Sequence, residues 1–189
     1  MFNCRRCIYL VICVLFLGLI PLGFFVYYQT QGAFTYQTDD WNTTECRYNE
    51  GMSWHCGSCG NCSTTQDLEV YKNTSNTIMD LMKKCVFYQV AGGNIETCVD
   101  DNIGLTDSCK QCWLKNVECT ASNCWGLCLY EDMFDIPHNA EDGALSKCLS
   151  CDEHYCGKSF RECAGMTRRR AGIVTNIIRD KTEVCDIEY

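Results

Sequence analysis

Proline is nearly absent, with two residues in 189, and this excludes collagen-like, mucin-like and proline-linker architectures. Histidine is almost as scarce. His55, His138 and His154 are scattered, and none shares a triad or metal spacing with a carboxylate. No Gly-x-Ser-x-Gly, His-Glu-x-x-His, Walker loop or dinucleotide fingerprint occurs, so no enzyme class and no small-molecule substrate or cofactor has positive support. Positive charge is also short. Sixteen Lys and Arg face 24 Asp and Glu for a net charge of −8, and since Arg5 and Arg6 stand at the extreme N-terminus, the remainder carries −10. That balance argues against nucleic acid or an anionic lipid surface as partner. Aromatic residues, at 12%, are too many for a disordered chain.

Charge is missing altogether from residues 8–28, a run of 21 residues reading IYLVICVLFLGLIPLGFFVYY. As a helix this run spans roughly 31 Å, the thickness of a bilayer core. Arg5 and Arg6 precede it and the first charges after it are Asp39 and Asp40, so the positive-inside rule assigns residues 1–7 to the cytoplasm. Tyr27 and Tyr28 are expected in the interfacial aromatic belt, and Pro21 is expected to kink the helix. A cleaved signal peptide is the competing reading. The run exceeds a typical h-region and no small-x-small pair follows closely, which favours an uncleaved signal-anchor in contact with membrane lipid. Cys4, Cys7 and Cys13 at this end are either acylated or free.

What the sequence has in excess is cysteine, 19 residues or about a tenth of the chain, the mark of a disulfide scaffold or a metal-loaded protein. Sixteen lie between positions 46 and 185, an even number compatible with eight disulfides: Cys46, Cys56, Cys59, Cys62, Cys85, Cys98, Cys109, Cys112, Cys119, Cys124, Cys128, Cys148, Cys151, Cys156, Cys163 and Cys185. Asn42, Asn61 and Asn73 head N-glycosylation sequons, Asn61 being the least suitable because Cys62 follows it. Both features suit an oxidising compartment.

Residues 29–45 are polar and lack cysteine, which reads as a stalk, and residues 46–189 form the cysteine-rich domain. Ser63 and Gln66 make a capping-box pattern for a helix carrying Leu68, Tyr71, Ile78, Leu81, Met82 and Cys85 to a stop near Gly92 and Gly93. A second helix opens at Thr106 and carries Cys109, Cys112 and Trp113; another starts near Ser122 with Cys124, Trp125 and Cys128. Packed as an antiparallel hairpin, these two would join Cys109 to Cys128 and Cys112 to Cys124. Cys148, Cys151, Cys156 and Cys163 fall on short helical turns beyond Pro137 and Gly143. Residues 173–178 suit a strand or the end of a helix. The fold class is therefore mainly α: a small disulfide-rich ectodomain on one N-terminal transmembrane helix.

Cys56-Gly-Ser-Cys59 after Trp54 has the spacing of a thioredoxin-type redox pair, in which a helix N-terminus stabilises the first thiolate. The context is wrong. Cys62 follows three residues later, no strand pattern precedes, and the later proline that faces such a pair is missing. Cys-x-x-Cys pairs at 56/59, 109/112 and 148/151 have zinc spacing, but thiolates beyond a signal-anchor pair with one another. Arg168, Arg169 and Arg170, with Arg161 and Arg179 nearby, are a candidate protein-binding cluster for an acidic partner, weighed against a solvated helix face. Trp41, Trp54, Trp113 and Trp125 are expected in the core rather than as interface anchors.

Three stretches together carry a resemblance: Cys56-Gly-Ser-Cys-Gly-Asn-Cys-Ser-Thr-Thr-Gln-Asp67; Leu105-Thr-Asp-Ser-Cys-Lys-Gln-Cys-Trp-Leu-Lys-Asn-Val-Glu-Cys119 with Cys124 and Cys128; and Cys148-Leu-Ser-Cys-Asp-Glu through Cys163-Ala-Gly to Arg168-Arg-Arg-Ala-Gly172. They resemble a cysteine-rich, membrane-anchored family encoded by large DNA viruses of algae, chloroviruses among them, and by some microalgae. The resemblance implies a non-enzymatic virion role, as a minor capsid or inner-membrane protein whose cysteine-rich domain meets other capsid or membrane proteins. Such viruses often encode a thiol oxidase, so disulfides could form in cytoplasmic factories without glycosylation. Two other readings stand beside it: a cell-surface or secretory-pathway recognition module with a cytoplasmic N-terminus, and a thiol-disulfide oxidoreductase acting through Cys56 and Cys59.

Overall fold

A computed structural model describes residues 21–32, 34–35, 46 and 53–187, and among these the chain is mainly helical. Residues 21–30 are helical (α1) and precede α2 (Thr65–Asn73), α3 (Ile78–Val90), α4 (Ile95–Asn102), α5 (Asp107–Asn123), α6 (Trp125–Met133), α7 (Lys147–Tyr155) and α8 (Gly157–Ala164). Among the described residues no helix is long and apolar enough to cross a membrane. Most of the apolar run 8–28 lies outside them, as do Cys4, Cys7, Cys13, Asn42 and Trp41, and so does the chain before Pro21 on which the expected kink depends.

All sixteen cysteines from Cys46 to Cys185 are paired, as their even number suggested. The bonds are Cys46–Cys59, Cys56–Cys185, Cys62–Cys109, Cys85–Cys98, Cys112–Cys163, Cys119–Cys156, Cys124–Cys151 and Cys128–Cys148. The expected links of Cys109 to Cys128 and Cys112 to Cys124 do not form. Their premise was a hairpin between α5 and α6, but Cys124 is at once the C-cap of one helix and the N-cap of the next, which leaves no loop in which to reverse. The pair acts as one bent arm. Cys156 joins α7 to α8 in the same way, and the reversal comes in the connection holding Pro137 and Gly143. The last four bonds named above are then nested rungs between two antiparallel arms.

The helix expected to run from Ser63 to Gly92 is two helices. Asn73-Thr-Ser-Asn-Thr77 interrupts it with residues whose side chains compete for backbone groups, and Thr74 Oγ1 donates to the Val70 carbonyl. Its start moves too: Thr64, not Ser63, is the N-cap and accepts from Asp67 N–H. Asp67 is fully buried and ties two helix starts together, accepting from Thr64 Oγ1 at 2.6 Å, Thr106 N–H at 2.9 Å and Thr106 Oγ1 at 2.8 Å. Helix α4 was not anticipated, although Asn94 caps it and Cys98 and Val99 give it a buried face. Residues 173–178 form no strand; Ile173 N–H donates to the Arg168 carbonyl, and side chains meet others, among them Asn76 Oδ1 for Asn176 and Asn139 Oδ1 for Ile178.

Two apolar cores result. The larger contains Tyr71, Ile78, Met82, Val99, Trp113 and Met166 with three disulfides; the smaller is Tyr28, Leu127 and Tyr130 around Cys124–Cys151. Tyr28 is therefore not a belt residue. It stacks on Tyr130 with ring centroids 4.3 Å apart and donates to Glu131 Oε1 at 3.0 Å, while Lys147 Nζ donates to the Tyr28 and Gln31 carbonyls. The beginning of the expected stalk lies against the domain, with Phe34 beside His154 and Tyr155. Gly60 and Gly165 permit the cysteine loop to touch the end of α8, since a Cβ on Gly60 would stand 2.5 Å from Gly165 N.

Candidate functional site

Cys56 and Cys59 do not form a dithiol pair, being bonded to Cys185 and Cys46, and among the described residues no three His, Cys, Asp or Glu converge as a metal site. His55 and Ser63 do meet, with Nε2 2.7 Å from Ser63 Oγ and Nδ1 2.8 Å from the Cys56 carbonyl. Both side chains are wholly buried, beyond any substrate's reach. Of the tryptophans, Trp113 fills the core and donates to Tyr71 Oη, whereas Trp54 and Trp125 are 42% and 45% exposed, against expectation. Asn61 and Asn73 are exposed.

The arginines do not form a solvated helix face. Arg161, Arg169 and Arg179 converge on Glu153 at 3.4, 3.0 and 2.7 Å, and Arg169 and Arg179 also reach Glu183. Arg168 donates to the Ser75 carbonyl and Arg170 to the Gly165 carbonyl. Burial alone would raise the Glu153 pKa, but Arg169, Arg179 and Arg161 hold it below the ordinary glutamate value. The sequence shows five arginines between positions 161 and 179. It does not register two glutamates placed to meet three of them inside the fold.

The concave surface with chemistry attached is an apolar groove between α3, α5, α6 and α7, with a cavity volume of about 140 Å3. Val86, Phe87, Val117, Trp125 and Leu129 are among its lining residues, and Phe87 and Trp125 are the exposed aromatics. Lys83 and Asp132, also lining it, pair at 3.6 Å from α3 to α6. A void near 150 Å3 accommodates a benzene-sized group, so the groove suits one large apolar side chain rather than an extended ligand.

Besides Lys83 and Asp132, three polar side chains interrupt its apolar wall, Asn116, Thr120 and Asp152. Asp152 Oδ1 accepts from Thr120 Oγ1 and from Asn116 Nδ2, whereas Asn116 Oδ1 is buried without a donor among the described residues. Burial pushes the Asp152 carboxyl up to about 6, with Glu153 adding to the rise and Thr120, Asn116 and Arg179 opposing it. A carboxyl strained in this way beside a cleft is a mark of a binding site. The raised pKa also has a stability consequence. Below about pH 4 the group is protonated whether the chain is folded or not; from there to pH 6 the folded state is progressively penalised, and above pH 6 the penalty is complete. Two pKa units correspond to about 3 kcal/mol. Asp152→Asn is therefore expected to stabilise the protein by about 2–3 kcal/mol at pH 7.5 and scarcely at all at pH 4, as read by guanidinium unfolding at both pH values. Equal effects at the two would deny the strain.

These features define a helical, disulfide-stapled domain with a groove for an apolar side chain. The chain belongs to a family of unknown function (DUF8771), whose model matches residues 92–187. That segment holds α5 to α8 with all four rungs between the arms, and its cysteines at 98, 109 and 185 bond back to Cys85, Cys62 and Cys56. No curated protein and no solved structure matches the chain.

Proposed function

We propose that this is a non-enzymatic, membrane-anchored binding protein whose stapled domain captures a protein partner by taking one apolar side chain into the groove. The observation that carries the reading is the groove itself, which has exposed Trp125 and Phe87 in a domain whose cysteines are all spent on disulfides. Large apolar anchors seated in pockets dominate many protein interfaces. The anchor is the apolar run 8–28, oriented by Arg5 and Arg6, and Tyr28 with Lys147 couples the end of α1 to the domain. Eight disulfides suit an oxidising setting, the secretory pathway or a viral factory with its own oxidase.

The family resemblance adds a place, the virion, where the domain would join the inner membrane to the capsid shell. A photoreactive residue at Leu129 in the full-length chain is expected to crosslink to a shell protein in purified particles, whereas one at exposed Lys158 is not. Absence of the chain from the particles removes the virion role, and extraction of the chain by alkaline carbonate removes the anchor. Crosslinking from Lys158 as strong as from Leu129 removes the groove.

A further inference from the structure

A second cavity, of about 100 Å3, shares Trp113, Asn116, Leu149 and Asp152 with the groove and is lined on its other side by Arg161, Arg168, Arg169 and Arg179. About 10–15 Å3 of such space admits one water, so this volume admits a four-oxygen anion. The charges around it do not cancel. Four guanidiniums face Asp152 and Glu153, with Glu183 bonded to Arg169 and Arg179, which leaves one positive charge uncompensated even when every acid is ionised. Arg168 carries it. The other three pair with Glu153, whereas among the described residues Arg168 makes a single side-chain hydrogen bond, from Nη1 to the Ser75 carbonyl at 2.7 Å, and has no carboxylate at ion-pair distance, Glu153 acting on it only from further away. Among the described residues its remaining donors have no protein acceptor, although a guanidinium carries five N–H groups in a fork that matches two oxygens of a tetrahedral oxyanion. Burial, with Arg179 and Arg169 adding to it, lowers the Arg168 pKa to about 10, a strain that a bound anion would relieve.

We propose that this cavity binds a small tetrahedral oxyanion of the phosphate or sulfate type, held chiefly by the free fork of Arg168. The acidic exterior slows the approach of an anion but does not alter the local excess of positive charge inside. The site adjoins the groove but depends on Arg168, which does not line the groove, so anion uptake and partner capture are tested independently.

The test is equilibrium dialysis of the full-length chain in detergent, without reductant, against radiolabelled inorganic phosphate, with chloride holding the ionic strength constant. Uptake is expected to saturate near one phosphate per chain and to be displaced by sulfate. Arg168→Gln is expected to weaken it at least tenfold, and Lys158→Gln, on an exposed residue paired with Glu162, to leave it unchanged. Competition by methyl phosphate assigns the site to an esterified phosphate; failure of methyl phosphate to compete assigns it to the free ion. If Arg168→Gln loses its helical circular dichroism, Arg168→Lys replaces it, with a several-fold loss expected because a point charge cannot make the paired contact. No saturable uptake by the native chain, equal uptake by the folded Arg168 variant, or an equal loss in Lys158→Gln overturns the proposal.

Discussion

Glu153→Gln is expected to lower the stability of the domain by about 3–5 kcal/mol, the cost of removing one partner from a buried ionic cluster. Three guanidiniums lie within 3.4 Å of this carboxylate, and its side chain is only 11% exposed. Glutamine keeps the shape and one acceptor but removes the charge, so Arg161, Arg169 and Arg179 each lose their ion pair with residue 153, while Glu183 stays paired to Arg169 and Arg179. A loss of that size is a large part of the 5–15 kcal/mol typical of a whole domain. The pH dependence has a definite sign. Because its arginine partners depress the Glu153 pKa in the folded state, the stability it contributes is present above the ordinary glutamate value, near pH 4.5, and is lost as pH falls through the depressed value. Denaturant unfolding of the variant should therefore show a deficit at pH 7 that narrows in acid. A deficit below 1 kcal/mol at pH 7 would mean that the cluster is not a stabilising element.

The second large loss concerns Cys56–Cys185, the bond with the widest sequence separation, 129 residues. Loop closure over that length would be worth about 5 kcal/mol in the chain-entropy account. The loop is shorter in practice. With the other bonds intact, the covalent path runs from Cys56 to Cys62, across to Cys109, on to Cys112, across to Cys163 and down to Cys185, about 31 residues in all. The expected cost of the Cys56→Ser/Cys185→Ser double variant is accordingly about 3–4 kcal/mol. The released tail carries Arg179 and Glu183, so part of the Glu153 cluster goes with it. The effects of this double variant and Glu153→Gln should then combine to less than their sum, because they disturb one network. Thermal and denaturant unfolding of the three variants measures this; strict additivity would show that tail and cluster are independent.

Features that rest on local chemistry were legible in the sequence: a helix opening at Thr106, the helical turns around Cys148 and Cys163, and the even cysteine set. Disulfide connectivity was not, since sixteen cysteines allow roughly two million pairings. Yet part of it is written in the spacing. From Cys112 the intervals to Cys119, Cys124 and Cys128 are 7, 5 and 4, and back from Cys163 to Cys156, Cys151 and Cys148 they are 7, 5 and 3, a near mirror about the Pro137–Gly143 connection. Two antiparallel arms bent at matching places require such a pattern. The groove and the arginine cavity leave no comparable trace. Each is assembled from side chains on several helices, and whether Arg169 faces water or Glu153 depends on packing between α7 and the segment after α8, which no local propensity encodes. Tyr28 shows the same limit. Its place at the end of an apolar run suggested a lipid headgroup, and only the position of Tyr130 and Glu131 shows that it belongs to the domain.

The account depends most on these cysteines being structural staples, which leaves binding surfaces as the working parts of the protein. Peptide mapping of the native, alkylated and unreduced full-length chain tests this directly. It should recover no alkylated cysteine between positions 46 and 185 and should find Cys56 linked to Cys185, Cys46 to Cys59, and the four nested rungs from Cys112–Cys163 to Cys128–Cys148. A Cys56–Cys59 link, or alkylation of either residue, would instead reveal a working dithiol and contradict the account.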